Sequence, residues 1–124
     1  MNPPATASLA GLRVLVVEDS ALVAMYVESV LLDAGCDVTL MPDMERARTY
    51  ARSNAIDVAV LDINLRGERV FPLASELQQR QVGLVFSSGY TRDTPPSSLA
   101  EVPFLSKPID PDALLHTVAD VACS

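Results

Sequence analysis

Short runs of consecutive apolar residues constrain the fold of this chain more than any other feature. They occupy residues 12–17, 58–61, 83–86 and 102–105, the first interrupted by Arg13 and the last by Pro103. Each is too short for a typical helix, and the first two lack the alternation of a strand with one wet face. A β-branched-rich run of this kind fits a strand covered on both sides, as in a parallel sheet. Segments with helical spacing separate the runs. Ser20 stands as an N-cap ahead of Leu22, Val23, Met25, Tyr26, Val27, Val30 and Leu31, a broad apolar helical face ending near Gly35, a suitable C′ residue. Residues 37–40 read as a second, shorter strand. Asp43 caps a helix to about Ser53, with Met44, Ala47, Ala51 and Tyr50 turned inward. Another helix opens at Phe71-Pro72 and runs to about Arg80, and the last opens at Asp110-Pro111 and carries Leu114, Leu115, Val118 and Val121. Between the fourth and fifth strands, Pro95-Pro96 and neighbouring hydroxyl residues leave at best one or two helical turns over 97–101.

Five β/α units, the fourth helix short or irregular, predict a three-layer α/β sandwich with right-handed crossovers. At 124 residues there is room for one domain. Residues 1–10 read as a flexible lead and 11–124 as the domain. A net charge of −7 argues against direct nucleic-acid binding, which wants a basic face. No apolar run approaches the ~20 residues of a membrane span, and the N-terminus has neither the basic start nor the long apolar stretch of a signal peptide. Cys36 and Cys123 make no framework and no metal-type pair, so they read as reduced thiols of a cytoplasmic protein. Met25, Met41 and Met44 read as core filler, and His116 as a surface or packing residue of the last helix.

The chemistry gathers at the strand ends. Glu18 and Asp19 follow the first strand, Asp62 the third, and Lys107 with Pro108 the fifth. In an open parallel sheet the carboxyl ends of the strands line one crevice where ligands bind. Three carboxylates in one crevice repel each other unless a cation joins them, and an all-oxygen donor set suits Mg²⁺. A lone aspartate at a strand end is commonly just a helix cap, but Ser20 already fills that role beside Asp19. The set reads as a site for metal-assisted chemistry on a phosphate.

With Ser88 after the fourth strand and Phe104 in the fifth, these residues resemble the receiver domain of two-component response regulators, over roughly residues 11–122. The resemblance implies a flavodoxin-like fold with strand order 2-1-3-4-5. It also implies reversible, Mg²⁺-dependent phosphorylation of an aspartate by a histidine kinase or histidine phosphotransfer protein. Asp62 would be the phosphoacceptor. Asp19, Asp62 and the Asn64 backbone carbonyl would hold the metal, with Glu18 binding directly or through water. Lys107, the Ser88 hydroxyl and the Gly89 N–H would meet phosphoryl oxygens, Ser88 and Phe104 would form the switch, and the Lys107–Pro108 bond would be cis. The protein would be no enzyme beyond its own phosphorylation and dephosphorylation, and its output would pass to a downstream protein that the sequence does not identify. Residues 87–101 would form the switch surface, mobile before phosphorylation.

Some residues depart from the family pattern. The common Met-Pro after the aspartate is absent, since the chain reads Asp62-Ile63-Asn64-Leu65-Arg66-Gly67-Glu68, and the stretch from Asp62 to Ser88 is short. Phe86-Ser87-Ser88-Gly89-Tyr90 resembles the Phe-Ala-Thr-Gly-x-Tyr signature of a single-domain sub-family. The switch hydroxyl is Ser87 or Ser88, with Ser88 favoured because a small residue and then Tyr90 follow it. Phe104 lacks a phenol oxygen and is limited to packing. The stop at Cys123-Ser124, soon after the last helix, favours a stand-alone receiver over one excised from a longer regulator or hybrid kinase. A Mg²⁺-dependent phosphatase of similar topology would carry a second aspartate where Asn64 stands, and a cap domain for which there is no space.

Overall fold

The computed structural model describes residues 9–89 and 94–122. Strand β1 (Arg13–Val17) leads into helix α1 (Ala21–Asp33), β2 (Asp37–Met41), α2 (Met44–Ser53) and β3 (Val58–Asp62). A small hairpin, β4 (Asn64–Leu65) and β5 (Glu68–Arg69), precedes α3 (Phe71–Gln79) and β6 (Gly83–Ser88). A 3-10 turn at Ser97–Leu99, β7 (Phe104–Ser106) and α4 (Pro111–Ala122) complete the described chain. The five long-range strands are hydrogen-bonded in the order β2-β1-β3-β6-β7, and every pair in that sheet is parallel. The sheet is thus the flavodoxin-like five-stranded arrangement, with four α-helices and a 3-10 turn where the fourth of five helices was expected.

Alternation along the central strands sorts the core into two halves. Leu15, Val17, Ala59, Leu61, Leu84 and Phe86 pack with Ala47 and Ala51 of α2 and Leu73, Ala74 and Leu77 of α3. Val14, Val16, Val58, Val60 and Val85 pack with Val27 and Leu31 of α1 and Leu114 and Val118 of α4. Successive strand residues face opposite sides, so each continuous apolar run feeds both halves at once. The helices start where the sequence places their caps. Ser20 Oγ accepts the Val23 N–H, Asp43 Oδ1 the Arg46 N–H, and Asp110 Oδ2 the Ala113 N–H.

Several expectations are corrected. Leu9 is fully buried with the α1/α4 half of the core, and the Leu12 N–H donates to its carbonyl, so ordered packing begins before residue 11. Residues 1–8 lie outside the described residues, as do Cys123 and residues 90–93 of the expected switch surface. Met25 is not core filler: it is 60% exposed and Leu22 is 82% exposed. The outer face of α1 therefore stays apolar, because the sheet can cover only the stripe holding Ala24, Val27 and Leu31. The fifth strand starts at Phe104 rather than at residue 102. The Val102 N–H is taken by the Leu99 carbonyl, and Pro103 has no N–H to give. The hairpin was not anticipated at all. Among the described residues, no helix is long and apolar enough to cross a membrane.

The packing makes two substitutions informative. Leu61→Ala, at a site with no exposure, is expected to lower the unfolding free energy by ~2–5 kcal/mol. Gly83→Ala places a methyl 2.9 Å from the Val121 carbonyl oxygen and is expected to be destabilising although it adds apolar area. Urea unfolding of both proteins against wild type checks this, and a Gly83→Ala protein as stable as wild type would mean that the end of α4 yields freely.

Candidate functional site

Parallel register brings the acids together. The β1–β3 ladder ends at Val17 opposite Leu61, so residues 18 and 19 and residue 62 follow side by side at the carboxyl ends of the two strands. Glu18 and Asp62 are buried and Asp19 is half-buried, and one carboxylate oxygen from each lies within 4.8 Å of those of the other two. Lys107 reaches across from the loop after β7. Its Nζ stands 2.7 Å from Glu18 Oε1 and 3.3 Å from Asp62 Oδ2. The loop is fixed on both sides, because the Lys107 N–H donates to the Ser88 carbonyl and the Tyr26 hydroxyl of α1 donates to the Ile109 carbonyl. The Lys107–Pro108 peptide is cis, as the resemblance implied.

The electrostatics are those of a buried like-charge cluster. Burial pushes the Asp62 carboxyl up to about 6, and the neighbouring Glu18 charge adds to that. Lys107 and the Asn64 backbone N–H pull it the other way. Burial alone would lower the Lys107 ammonium, but its hydrogen bond to Glu18 and the charge of Asp62 outweigh that and hold it above the ordinary lysine value. Three carboxylates and one ammonium leave two formal negative charges. A divalent cation balances that remainder, and the donors are all hard oxygens, so the residues present fit Mg²⁺.

Each expected residue has a defined place. Asp62 closes β3, and its Oδ1 accepts the Asn64 N–H at 3.3 Å. Glu18 spends Oε1 on Lys107 and Oε2 on the Ser20 N–H. Both of its oxygens thus already have one donor, as do both of Asp62's. Asn64 uses its side-chain oxygen to accept the Gly67 N–H. Val70 N–H donates to Ile63 O, so the next pair, Asn64 and Arg69, is a non-hydrogen-bonded one, and the Asn64 carbonyl faces out of the hairpin. Ser87 pairs laterally with Asp62 while Ser88, one residue on, pairs with Ser106, and both serines are buried. Gly89 is exposed, and a Cβ there would meet nothing within 4 Å, which leaves open space just past the end of β6. Phe104 lies opposite Phe86 and is 40% exposed.

One participant escaped the sequence reading. The Arg66 backbone N–H donates to Asp19 Oδ2 at 2.9 Å, across 47 residues of chain. Only Gly67 hinted at it. A two-residue hairpin of the primed type favours Asn, Asp or Gly before a second-position Gly, and Arg-Gly is a weak form of that signal.

Comparison with known proteins agrees with this geometry. The family described as response regulator receiver domain matches residues 14–119. No curated protein matches the chain. The solution structure of SdrG from Sphingomonas melonis Fr1 is 32% identical, with a TM-score of 0.75 over 90% of this chain and 96% of that one. CheY4 of Vibrio cholerae, a chemotaxis response regulator, is 24% identical, with a TM-score of 0.79 over 90% of this chain and 99% of that one. TrrA of Thermotoga maritima, a response regulator solved in complex with Mg(2+)-BeF, is 22% identical, with a TM-score of 0.79 over 89% and 98%. The latter two show likeness of fold.

The raised Asp62 carboxyl carries a pH signature. The folded protein holds this proton more tightly than the unfolded chain, whose ordinary value is 3.8. The associated stability is fully present below that value and is lost as pH rises through about 6. Without divalent cation, Asp62→Asn is therefore expected to be more stable than wild type near neutral pH, by roughly 1–3 kcal/mol, with the gain shrinking below the ordinary carboxylate value. Thermal unfolding across that range checks it. A variant equally destabilised at every pH would mean that the lost contact to Lys107 outweighs the relieved repulsion.

Proposed function

The chain belongs to the response regulator receiver domain family, and from that premise we propose that it accepts a phosphoryl group on Asp62 in the presence of Mg²⁺. One observation carries this reading: a buried carboxylate at the end of the central strand, between two further carboxylates and a lysine within ion-pair reach. An Asp62 carboxylate oxygen attacks phosphorus, forming the acyl phosphate O–P bond. The bond from phosphorus to a donor imidazole nitrogen breaks as its electron pair returns to the ring. Such a transfer needs in-line placement and neutralisation of the equatorial oxygens more than acid–base groups. Mg²⁺, when bound, supplies much of that neutralisation and favours the ionised form of Asp62. Asp19, Asp62 and the Asn64 carbonyl would hold it, with Glu18 acting directly or through water.

Lys107 is shared between Glu18 and Asp62 before transfer. Three new phosphoryl oxygens on Asp62 give it a stronger partner, and the loop it belongs to moves with it. The Gly89 N–H and a serine hydroxyl at the end of β6 stand at the same rim. Ser88 is the residue we assign to that contact, because the Lys107 N–H already binds its carbonyl and so links it to the lysine loop. Phe104 lies one strand over, where a shift of β6 and β7 alters its packing. Phosphorylation thus biases an existing equilibrium rather than building a new structure, and its reach is limited by the contacts phosphate makes in each state.

Output passes by protein contact over the face made by residues 94–101, β7 and α4. The donor is a histidine kinase or histidine phosphotransfer protein, and the setting is the cytoplasm. The chain turns over no external substrate beyond its own phosphorylation and dephosphorylation.

Incubation with acetyl phosphate and Mg²⁺, followed by intact-mass measurement, tests the core of this. Wild type is expected to gain one phosphoryl group, and Asp62→Asn or wild type with EDTA none. A phosphorylated Asp62→Asn protein would remove Asp62 from its role. Asp19→Asn is expected to weaken Mg²⁺ binding on calorimetry, whereas Lys107→Ala keeps that binding but loses the amide-exchange response to a beryllofluoride mimic. Equal loss of Mg²⁺ affinity in the two proteins would contradict the division of labour between them.

A further inference from the structure

The β4–β5 hairpin meets the acidic cluster at one point, and that point is backbone. Arg66 and Gly67, the two central residues of the Leu65–Glu68 turn, have φ of 52° and 89°. That is the pair of left-handed residues a two-residue primed hairpin demands. The turn is braced from both sides. Asn64 Oδ1 accepts the Gly67 N–H at 3.0 Å, and the Val70 N–H closes the base on the Ile63 carbonyl at 2.8 Å. Leu65 and Val70 are buried, which fastens the hairpin to the core. The bracing leaves the Arg66 N–H aimed out of the turn and onto Asp19 Oδ2 at 2.9 Å, while the Arg66 side chain is exposed.

Asp19 sits on the loop after β1 with two like-charged neighbours, and repulsion favours any rotamer that swings its carboxylate away from them. A fixed donor opposes that swing. A carboxylate has about four acceptor positions, so one N–H on Oδ2 leaves Oδ1 for a cation. Resting on the Mg²⁺ reading above, we propose that this turn is a positioning device: the Arg66 backbone N–H holds the Asp19 carboxylate in its metal-binding orientation, and Gly67 is the residue that permits it. The Arg66 guanidinium takes no part. Partners of metal ligands commonly change metal affinity by ~10–100-fold when removed, and here the partner is a main-chain group that only turn geometry can alter.

The substitutions follow from the surroundings of the turn. A Cβ at Gly67 would meet nothing within 4 Å, so a side chain there acts through the backbone torsion alone. Calorimetric Mg²⁺ titration of the full chain is expected to show Gly67→Val weakened on the order of tenfold. Gly67→Asn, whose residue tolerates the left-handed region, and Arg66→Ala should stay close to wild type. The Arg66 amide resonance is expected to shift in Asp19→Asn protein even without Mg²⁺, a signature that a merely structural turn would not give. A folded Gly67→Val protein with wild-type affinity overturns the proposal, as does an Arg66→Ala loss equal to that of Gly67→Val. If Gly67→Val no longer melts cooperatively, Gly67→Ala carries the same expectation in weaker form. A wild-type chain without Mg²⁺ affinity would instead bring down the phospho-accepting reading itself, and with it this one.

Discussion

Repulsion among three carboxylates held within 4.8 Å of one another is the constraint on which the rest of the site depends. Nothing in a fold's own stability calls for such a cluster, since buried carboxylates cost free energy unless compensated. The compensation here is partial and specific. Lys107 is shared between Glu18 and Asp62, while the Ser20, Asn64 and Arg66 amides each donate to one carboxylate. The remaining imbalance is what a small cation at the pocket would neutralise. The rigidity of the surrounding sheet keeps the acids from relaxing apart.

The sheet supplies that rigidity through the same runs that define the fold. Because β1, β3 and β6 are buried on both sides, their register is fixed by two packed half-cores at once. A slip by one residue would exchange the two sets of side chains and carry Asp62 off the rim. The acidic cluster therefore sits at the place where the fold is most over-determined, while the groups proposed as the switch belong to shorter elements. β7 has three residues and the helical turn before it also three, so neither brings much buried area to resist a shift.

Most of this was legible in the sequence for definite physical reasons. Continuous apolar runs identify doubly covered strands, and Ser20, Asp43 and Asp110 announce helix starts because their side chains have an evident backbone partner three residues on. The convergence of Glu18, Asp19, Asp62 and Lys107 follows once the strands are parallel. What escaped is equally instructive. Apolar periodicity overstated the inward face of α1, since Leu22 and Met25 share the helical spacing of core residues yet lie beyond the stripe the sheet can cover. The start of β7 depended on where the Val102 N–H found its acceptor, which no propensity encodes. The contact from Arg66 to Asp19 joins a main-chain donor to a carboxylate 47 positions away, and residue identity at position 66 carries no trace of it. Ser87 and Ser88 are both buried at the rim, so burial does not separate them, and the lateral pairing of Ser87 with Asp62 was equally invisible beforehand.

The opposite edge of the sheet has a practical side. Leu9 packs in the half of the core that holds Val27 and Leu31, Gly11 N–H donates to the Gly35 carbonyl, and Val121 near the end of α4 lies close enough to Gly83 at the start of β6 that a Cβ there would meet it. Both extremities of the described chain therefore lie on the rim where the strands begin, a full strand length from the acids. A dye, an affinity handle or a biosensor surface coupled at either extremity would leave the acidic rim facing solution. Force applied between the two extremities in a single-molecule pulling experiment would load the strand-start rim first and the acidic rim last.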